Sequence, residues 1–212
     1  MHSVEIETGP GPRAAVIWLH GLGADGHDFE PIVPELALKQ PVRFVFPHAP
    51  VRPVTINNGM RMRAWYDILQ FGGGPEDEAG IRASQKIVDQ LIAAEKGKRI
   101  VLAGFSQGGA IVLQTALRHP EALAGVLALS TYLPLAATLE AEAAGANRKV
   151  PIFMAHGQYD DIIPLARAEA SRDALQRLGY AVEWHAYPMP HSVCAPEIAD
   201  ISRFLNRVLQ DS

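Results

Sequence analysis

Short apolar runs recur along this chain with helical stretches between them, and that alternation leaves few folds open. Ala14 to Leu19, Arg43 to Phe46, Arg99 to Phe105, Gly125 to Ser130, Pro151 to His156 and Val182 to Tyr187 have strand length. The central runs are apolar at both odd and even positions. A half-exposed strand alternates apolar with polar residues; one apolar on both parities must be covered on both faces. Val4 to Thr8 reads as an edge strand. Helical patterns lie between the runs. They cover Phe29 to Lys39 (interrupted by Pro31 and Pro34), Ala79 to Lys96, Gln107 to Arg118, Leu165 to Leu178 and Pro196 to Leu209. Pro164 before the fourth helix and Gly179 after it are start and stop signals. The predicted fold class is α/β, with a mostly parallel sheet between helices on both faces. The 212 residues show no repeat and no break in composition, so one domain over 1–212 is expected.

Composition narrows the partners. Charged residues make up 20% and the net charge is -4, with no basic stripe, so no nucleic-acid partner is expected. Cys194 is the only cysteine, which excludes an intramolecular disulfide and points to a reducing compartment. The N-terminal residues lack a basic patch followed by an apolar core, and no run reaches the roughly 20 apolar residues that span a bilayer. The expectation is a soluble, cytoplasmic chain without stable membrane insertion.

Two segments fit neither pattern. Pro47 to Glu78 is long for a connection, yet it carries Met60, Met62, Trp65, Tyr66, Ile68, Leu69 and Phe71. Thr131 to Arg148 is the other. The apolar cluster of the first reads equally as core and as the wall of a binding groove.

Gly104-Phe105-Ser106-Gln107-Gly108 fits G-x-S-x-G, between a strand and a helix. That context makes it a nucleophile elbow. The serine takes strained angles, and the glycines let strand and helix close around it. A serine hydroxyl is a weak nucleophile and needs a base, which needs an orienting acid. On such a fold the base follows the acid in the chain. His119 lies at the far end of the helix that Gln107 opens, about 18 Å from Gln107 at 1.5 Å per residue. His185 lies inside a strand, and His156 precedes the candidate acids. His191, in the loop after the last strand, is the candidate base. Asp160 and Asp161 follow the strand that ends at His156, and spacing leaves both open as the acid; Asp161 reads rather as a cap or solvent-facing residue. Acyl transfer also needs donors for an oxyanion. The Gln107 N–H at the helix start is one, and the Leu22 N–H in His20-Gly21-Leu22-Gly23 is the other. Asp25 and Asp28 read as caps for the next helix rather than as shapers of that loop. His20, His48 and His156 lack metal-ligand spacing, and Cys194 has no elbow to present its thiol, so a structural cysteine is expected.

Together, His20-Gly21-Leu22-Gly23-Ala24-Asp25-Gly26, Pro47-His48-Ala49-Pro50, Gly104 to Gly109, His156-Gly157 with Asp160 and Pro164, and His191 resemble the phospholipase/carboxylesterase family of α/β-hydrolases. That family includes bacterial carboxylesterases and acyl-protein thioesterases, and Arg52 to Met62 with Ala64 to Ile68 look like its bacterial esterase branch. The resemblance covers nearly the whole chain. It implies an α/β-hydrolase fold without a large cap domain. It also implies hydrolysis of small-molecule esters with no metal or organic cofactor. It assigns Ser106, Asp160 and His191 to catalysis, which settles Asp160 over Asp161, and Leu22 and Gln107 to the oxyanion. It further implies an acyl groove under the loop from Trp65 to Gly74, with Trp65, Leu69 and Phe71 as substrate-binding residues. Members of the family often pair as dimers, so a homodimer is compatible with it. Gln158-Tyr159 departs from the commoner members. The expected activity is carboxylesterase action on short- to medium-chain esters, with thioesters and lysophospholipids also within reach. Acyl-protein thioesterase action is the alternative, and a non-catalytic receptor ranks lower.

Overall fold

The strands assemble into a seven-stranded sheet in the order β1-β3-β2-β6-β7-β8-β9. A computed structural model describes residues 2–70 and 74–210 of the chain. The strands are β1 (Ser3–Glu7), β2 (Ala14–Leu19), β3 (Val42–Pro47), β6 (Arg99–Phe105), β7 (Gly125–Leu129), β8 (Ile152–Gly157) and β9 (Val182–Tyr187). β1 pairs antiparallel with β3 at one edge, and every other pairing in the sheet is parallel. The mostly parallel sheet expected from the apolar runs is present.

The two parities of the central strands feed two cores. Ala15, Ile17 and Leu19 of β2, with Ile100 and Leu102 of β6, face α1 (Glu78–Ala94) and α2 (Gln107–Ala116). Ala14, Val16 and Trp18, with Val101 and Ala103, face the opposite layer. Ile201, Phe204 and Leu205 of α5 (Ala195–Val208) fill that layer. α4 (Leu165–Arg177) joins the first layer through Leu175. Continuous apolar sequence in β2, β6, β7 and β8 is thus explained by burial on both sides.

Two expectations need correction. Phe29 to Lys39 forms a short 3-10 segment, Glu30–Leu36, rather than an α-helix. Pro31 and Pro34 remove two backbone donors, and Pro34 lies inside the turn, so regular i→i−4 bonding cannot build. Neither Asp25 nor Asp28 caps that segment, which starts without a side-chain cap. Asp25 instead accepts from the His27 N–H at 2.8 Å, inside its own loop. The long stretch after Pro47 is not a plain loop: it contains an antiparallel hairpin, β4 (Val51–Val54) with β5 (Met60–Arg63). The second odd segment holds α3 (Ala136–Glu142). Among the described residues no helix is long and apolar enough to cross a membrane.

Candidate active site

β2, β6, β7, β8 and β9 lie side by side. The loops leaving their C-terminal ends therefore share one rim, where open α/β sheets bind ligands. Leu22 follows β2, Ser106 follows β6, Asp160 follows β8 and His191 follows β9.

Ser106 sits at φ 54°, ψ −118°, a conformation that costs L-residues on the order of 1–3 kcal/mol. The surroundings over-determine it. Its N–H donates to the Leu129 carbonyl at 2.8 Å, continuing the sheet, and its carbonyl accepts from Ala110 N–H at 3.1 Å, beginning α2. A Cβ on Gly104 would collide with the Gly108 carbonyl group, and one on Gly108 with the Leu19 carbonyl. Strand and helix can approach this closely only where both positions are glycine.

His191 and Asp160 meet although they come from different loops. His191 Nδ1 lies 2.7 Å from Asp160 Oδ2. The other carboxylate oxygen accepts from Ile162 N–H at 2.9 Å and Ile163 N–H at 2.8 Å. The Asp160 side chain is fully buried, whereas Asp161 is exposed. His156 Nε2 lies 3.3 Å from Asp160 Oδ2 and bonds the Ile163 carbonyl at 2.8 Å. Burial holds the His156 pKa below its ordinary value, so this imidazole is a neutral support beneath the carboxylate. The two loops are also joined by backbone: Gln158 N–H donates to Tyr187 O at 2.8 Å and Tyr159 N–H to Met189 O at 3.1 Å. The His191 ring packs on Phe105, the residue before Ser106, with centroids 4.8 Å apart.

Leu22, Ser106 and Gln107 line one groove, open to solvent, whose walls include Ile68, Leu69, Ile162 and Ile163. Gln107 opens α2, so its N–H has no carbonyl one turn back to receive it. Leu69 lines this groove. Trp65 is not a wall residue. Its side chain is fully buried and its Nε1–H donates to the His20 carbonyl at 2.9 Å. A buried indole must satisfy its N–H, and doing so turns the ring inward, under the oxyanion loop. Phe71 lies outside the described residues.

The remaining candidates have structural partners. His20 accepts from Ala49 N–H through Nε2 and donates to the Gly21 carbonyl through Nδ1; burial keeps it neutral. His119 pairs with Asp89 at 2.8 Å, and His185 stacks on Phe153. Cys194 is the half-buried residue at the N-cap position, just before α5.

Sequence reading missed the Gln107 side chain. Its Oε1 accepts from Trp65 N–H at 2.7 Å, and its Nε2–H donates to the Tyr66 carbonyl at 2.7 Å. This buried amide fastens the groove wall to the elbow. It also missed the Tyr66–Tyr132 hydroxyl pair, 2.8 Å apart, with the Arg167 guanidinium 3.4 Å above the Tyr132 ring. No local signal in the sequence marks either contact.

Residues 2–209 match the family model described as Phospholipase/Carboxylesterase. Acyl-protein thioesterase 1 of Gibberella zeae is 41% identical over 213 residues, covering 92% of this chain and 91% of that protein. Acyl-protein thioesterase 1 of Mycosarcoma maydis is 39% identical, covering 97% and 95%. Among solved structures, Arabidopsis thaliana SOBER1 superposes with a TM-score of 0.88 at 32% identity, covering 93% of this chain and all of that one. Zea mays acyl-protein thioesterase 2 also gives 0.88, at 27% identity, over 99% of this chain and 100% of that one. The chain therefore belongs to the phospholipase/carboxylesterase family of α/β-hydrolases, ester hydrolases of the esterase and thioesterase type.

Proposed function

We propose that this chain cleaves acyl thioesters on proteins through an acyl-serine intermediate, with Ser106 as nucleophile, His191 as base and Asp160 as the acid that orients it. The observation that carries this reading is the buried Asp160–His191 pairing at 2.7 Å, with the imidazole laid against the residue next to the strained serine. Asp160 accepts the Nδ1–H and leaves Nε2 free to take a proton.

The chemistry follows in two balanced halves. Ser106 Oγ attacks the acyl carbonyl while His191 Nε2 takes the hydroxyl proton. The carbonyl oxygen becomes an oxyanion held by the Leu22 and Gln107 N–H groups. The tetrahedral carbon expels the thiolate sulfur, which leaves as a thiol with the proton from His191. Water then attacks the acyl-serine and gives a proton to His191; the tetrahedral carbon expels Ser106 Oγ, which takes that proton back from His191, and a free carboxylic acid leaves. The acyl chain runs along Ile68, Leu69, Ile162 and Ile163.

A protein-borne thioester is preferred over a general carboxylic ester because the curated relatives at about 40% identity are named acyl-protein thioesterases. Broad carboxylesterase action on the same residues is the second reading, favoured by a groove that opens directly to solvent. Matched substrates decide between them: an S-acylated peptide, the same acyl group on a small thiol, and its ethyl ester. The expected order of kcat/KM places the peptide first by tenfold or more. Equal or faster turnover of the small ester would support the second reading. Covalent labelling by a fluorophosphonate, lost in Ser106→Ala, tests the nucleophile.

A further inference from the structure

The elbow carries a clamp on its far side. β7 ends at Leu129, and Ser130 turns the chain through a left-handed conformation, φ 46°, while fully buried. That turn brings Thr131 back across the sheet edge to the elbow. The Thr131 hydroxyl donates to the Ser106 carbonyl at 2.7 Å, with the residue 1% exposed. Its methyl side closes on α2: a Cβ placed on Gly109 would stand 2.7 Å from both Thr131 Cβ and Cγ2. The third glycine of the elbow thus leaves room for this one side chain.

The Ser106 carbonyl and the Gln107 N–H belong to the same planar peptide unit, in which they point in opposite directions. Whatever holds the carbonyl aims the N–H. A hydrogen bond to the carbonyl also polarises the unit and strengthens the N–H as a donor. We propose that Thr131 is a positioning residue for transition-state stabilisation: its hydroxyl fixes and polarises the 106–107 peptide so that the Gln107 N–H points at the developing oxyanion. The inference rests on the role proposed for Gln107 above. Thr131 touches neither substrate nor reacting atoms; it acts through the peptide.

The test is Thr131→Val, which keeps shape and burial and removes the hydroxyl, beside Thr131→Ser, which keeps the donor. Loss of a whole oxyanion donor costs roughly 10²–10³ in kcat, so misaiming one should cost about tenfold. Expected for Thr131→Val is a kcat about tenfold down with KM within twofold. The affinity for a boronic acid that forms a tetrahedral adduct on Ser106 should fall by the same factor. Thr131→Ser should restore most of both. A role in stability alone would lower the melting temperature and leave kcat and boronate affinity unchanged, and that result overturns the proposal. So does Thr131→Ser being as slow as Thr131→Val. If Thr131→Val does not fold, Thr131→Cys, with a weaker donor, should fall between wild type and the tenfold loss. A kcat for it equal to wild type overturns the idea. Wild-type turnover and its loss in Ser106→Ala report on the acyl-serine reading separately.

Discussion

His191 Nδ1 and Asp160 Oδ2 lie 2.7 Å apart across a separation of 31 residues, and the carboxylate that closes this bond is fully buried. Two backbone N–H groups occupy its other oxygen, so Asp160 has one orientation. Replacing it by asparagine keeps shape but offers an N–H₂ group where an acceptor is needed. The imidazole would then present the wrong tautomer. Asp160→Asn is expected to lower kcat by about 10³- to 10⁴-fold, and the exposed Asp161→Asn to stay within twofold. Steady-state rates on one thioester check both.

The strained serine makes a separate prediction. Glycine accepts φ 54° without the Cβ clash, so Ser106→Gly should abolish turnover while raising stability by about 1 kcal/mol. Urea unfolding measures the gain. A stability equal to or below that of wild type would mean that the elbow stores no strain.

Gln107 links the groove wall to α2 through both ends of its amide. Gln107→Leu keeps volume but leaves the buried Trp65 N–H and Tyr66 carbonyl unpaired. Each orphaned buried group costs about 1–3 kcal/mol. The melting temperature should drop, and KM should rise more than kcat falls, because the wall moves while the backbone N–H of residue 107 remains.

Glu197 supplies a pH dependence of stability. It lies in the first turn of α5 with no exposed surface, and neither carboxylate oxygen has a hydrogen-bond partner among the described residues. Burial pushes its pKa up to about 8, against a smaller opposing pull from the Cys194 N–H. The folded state therefore holds this proton more tightly than the unfolded chain does. Between the ordinary glutamate value and about pH 8, unfolding releases a proton, so stability falls as pH rises, by up to about 1.4 kcal/mol per unit. Glu197→Gln removes that slope. Denaturant midpoints at pH 5, 6.5 and 8 should show the variant gaining steadily on wild type, and parallel curves would refute the buried carboxylate.

The strands and their order of appearance were legible because burial on both faces writes itself into every residue of a strand. β2, β6, β7 and β8 stand out for that reason. The elbow was legible because local backbone geometry demands small residues at Gly104 and Gly108, whatever lies beyond them. The Glu30–Leu36 segment was misread because its apolar spacing suggested a helix while Pro31 and Pro34 withheld the donors. Trp65 was misplaced because an aromatic in a long connection reads the same whether it faces a ligand or the core.

By itself the sequence determined the fold class and the turn that presents Ser106, since both are written in residues a few positions apart. Spacing left Asp160 and Asp161 both open; the tertiary structure shows Asp160 buried against His191, which nitrogen of that ring it meets, and that Thr131 reaches the Ser106 carbonyl. Those contacts form between the ends of β6, β7, β8 and β9, strands that parallel pairing brings together across tens of residues. Hydrogen-bond geometry at 2.7 Å is set by how those strands pack, and no local pattern of residues encodes it.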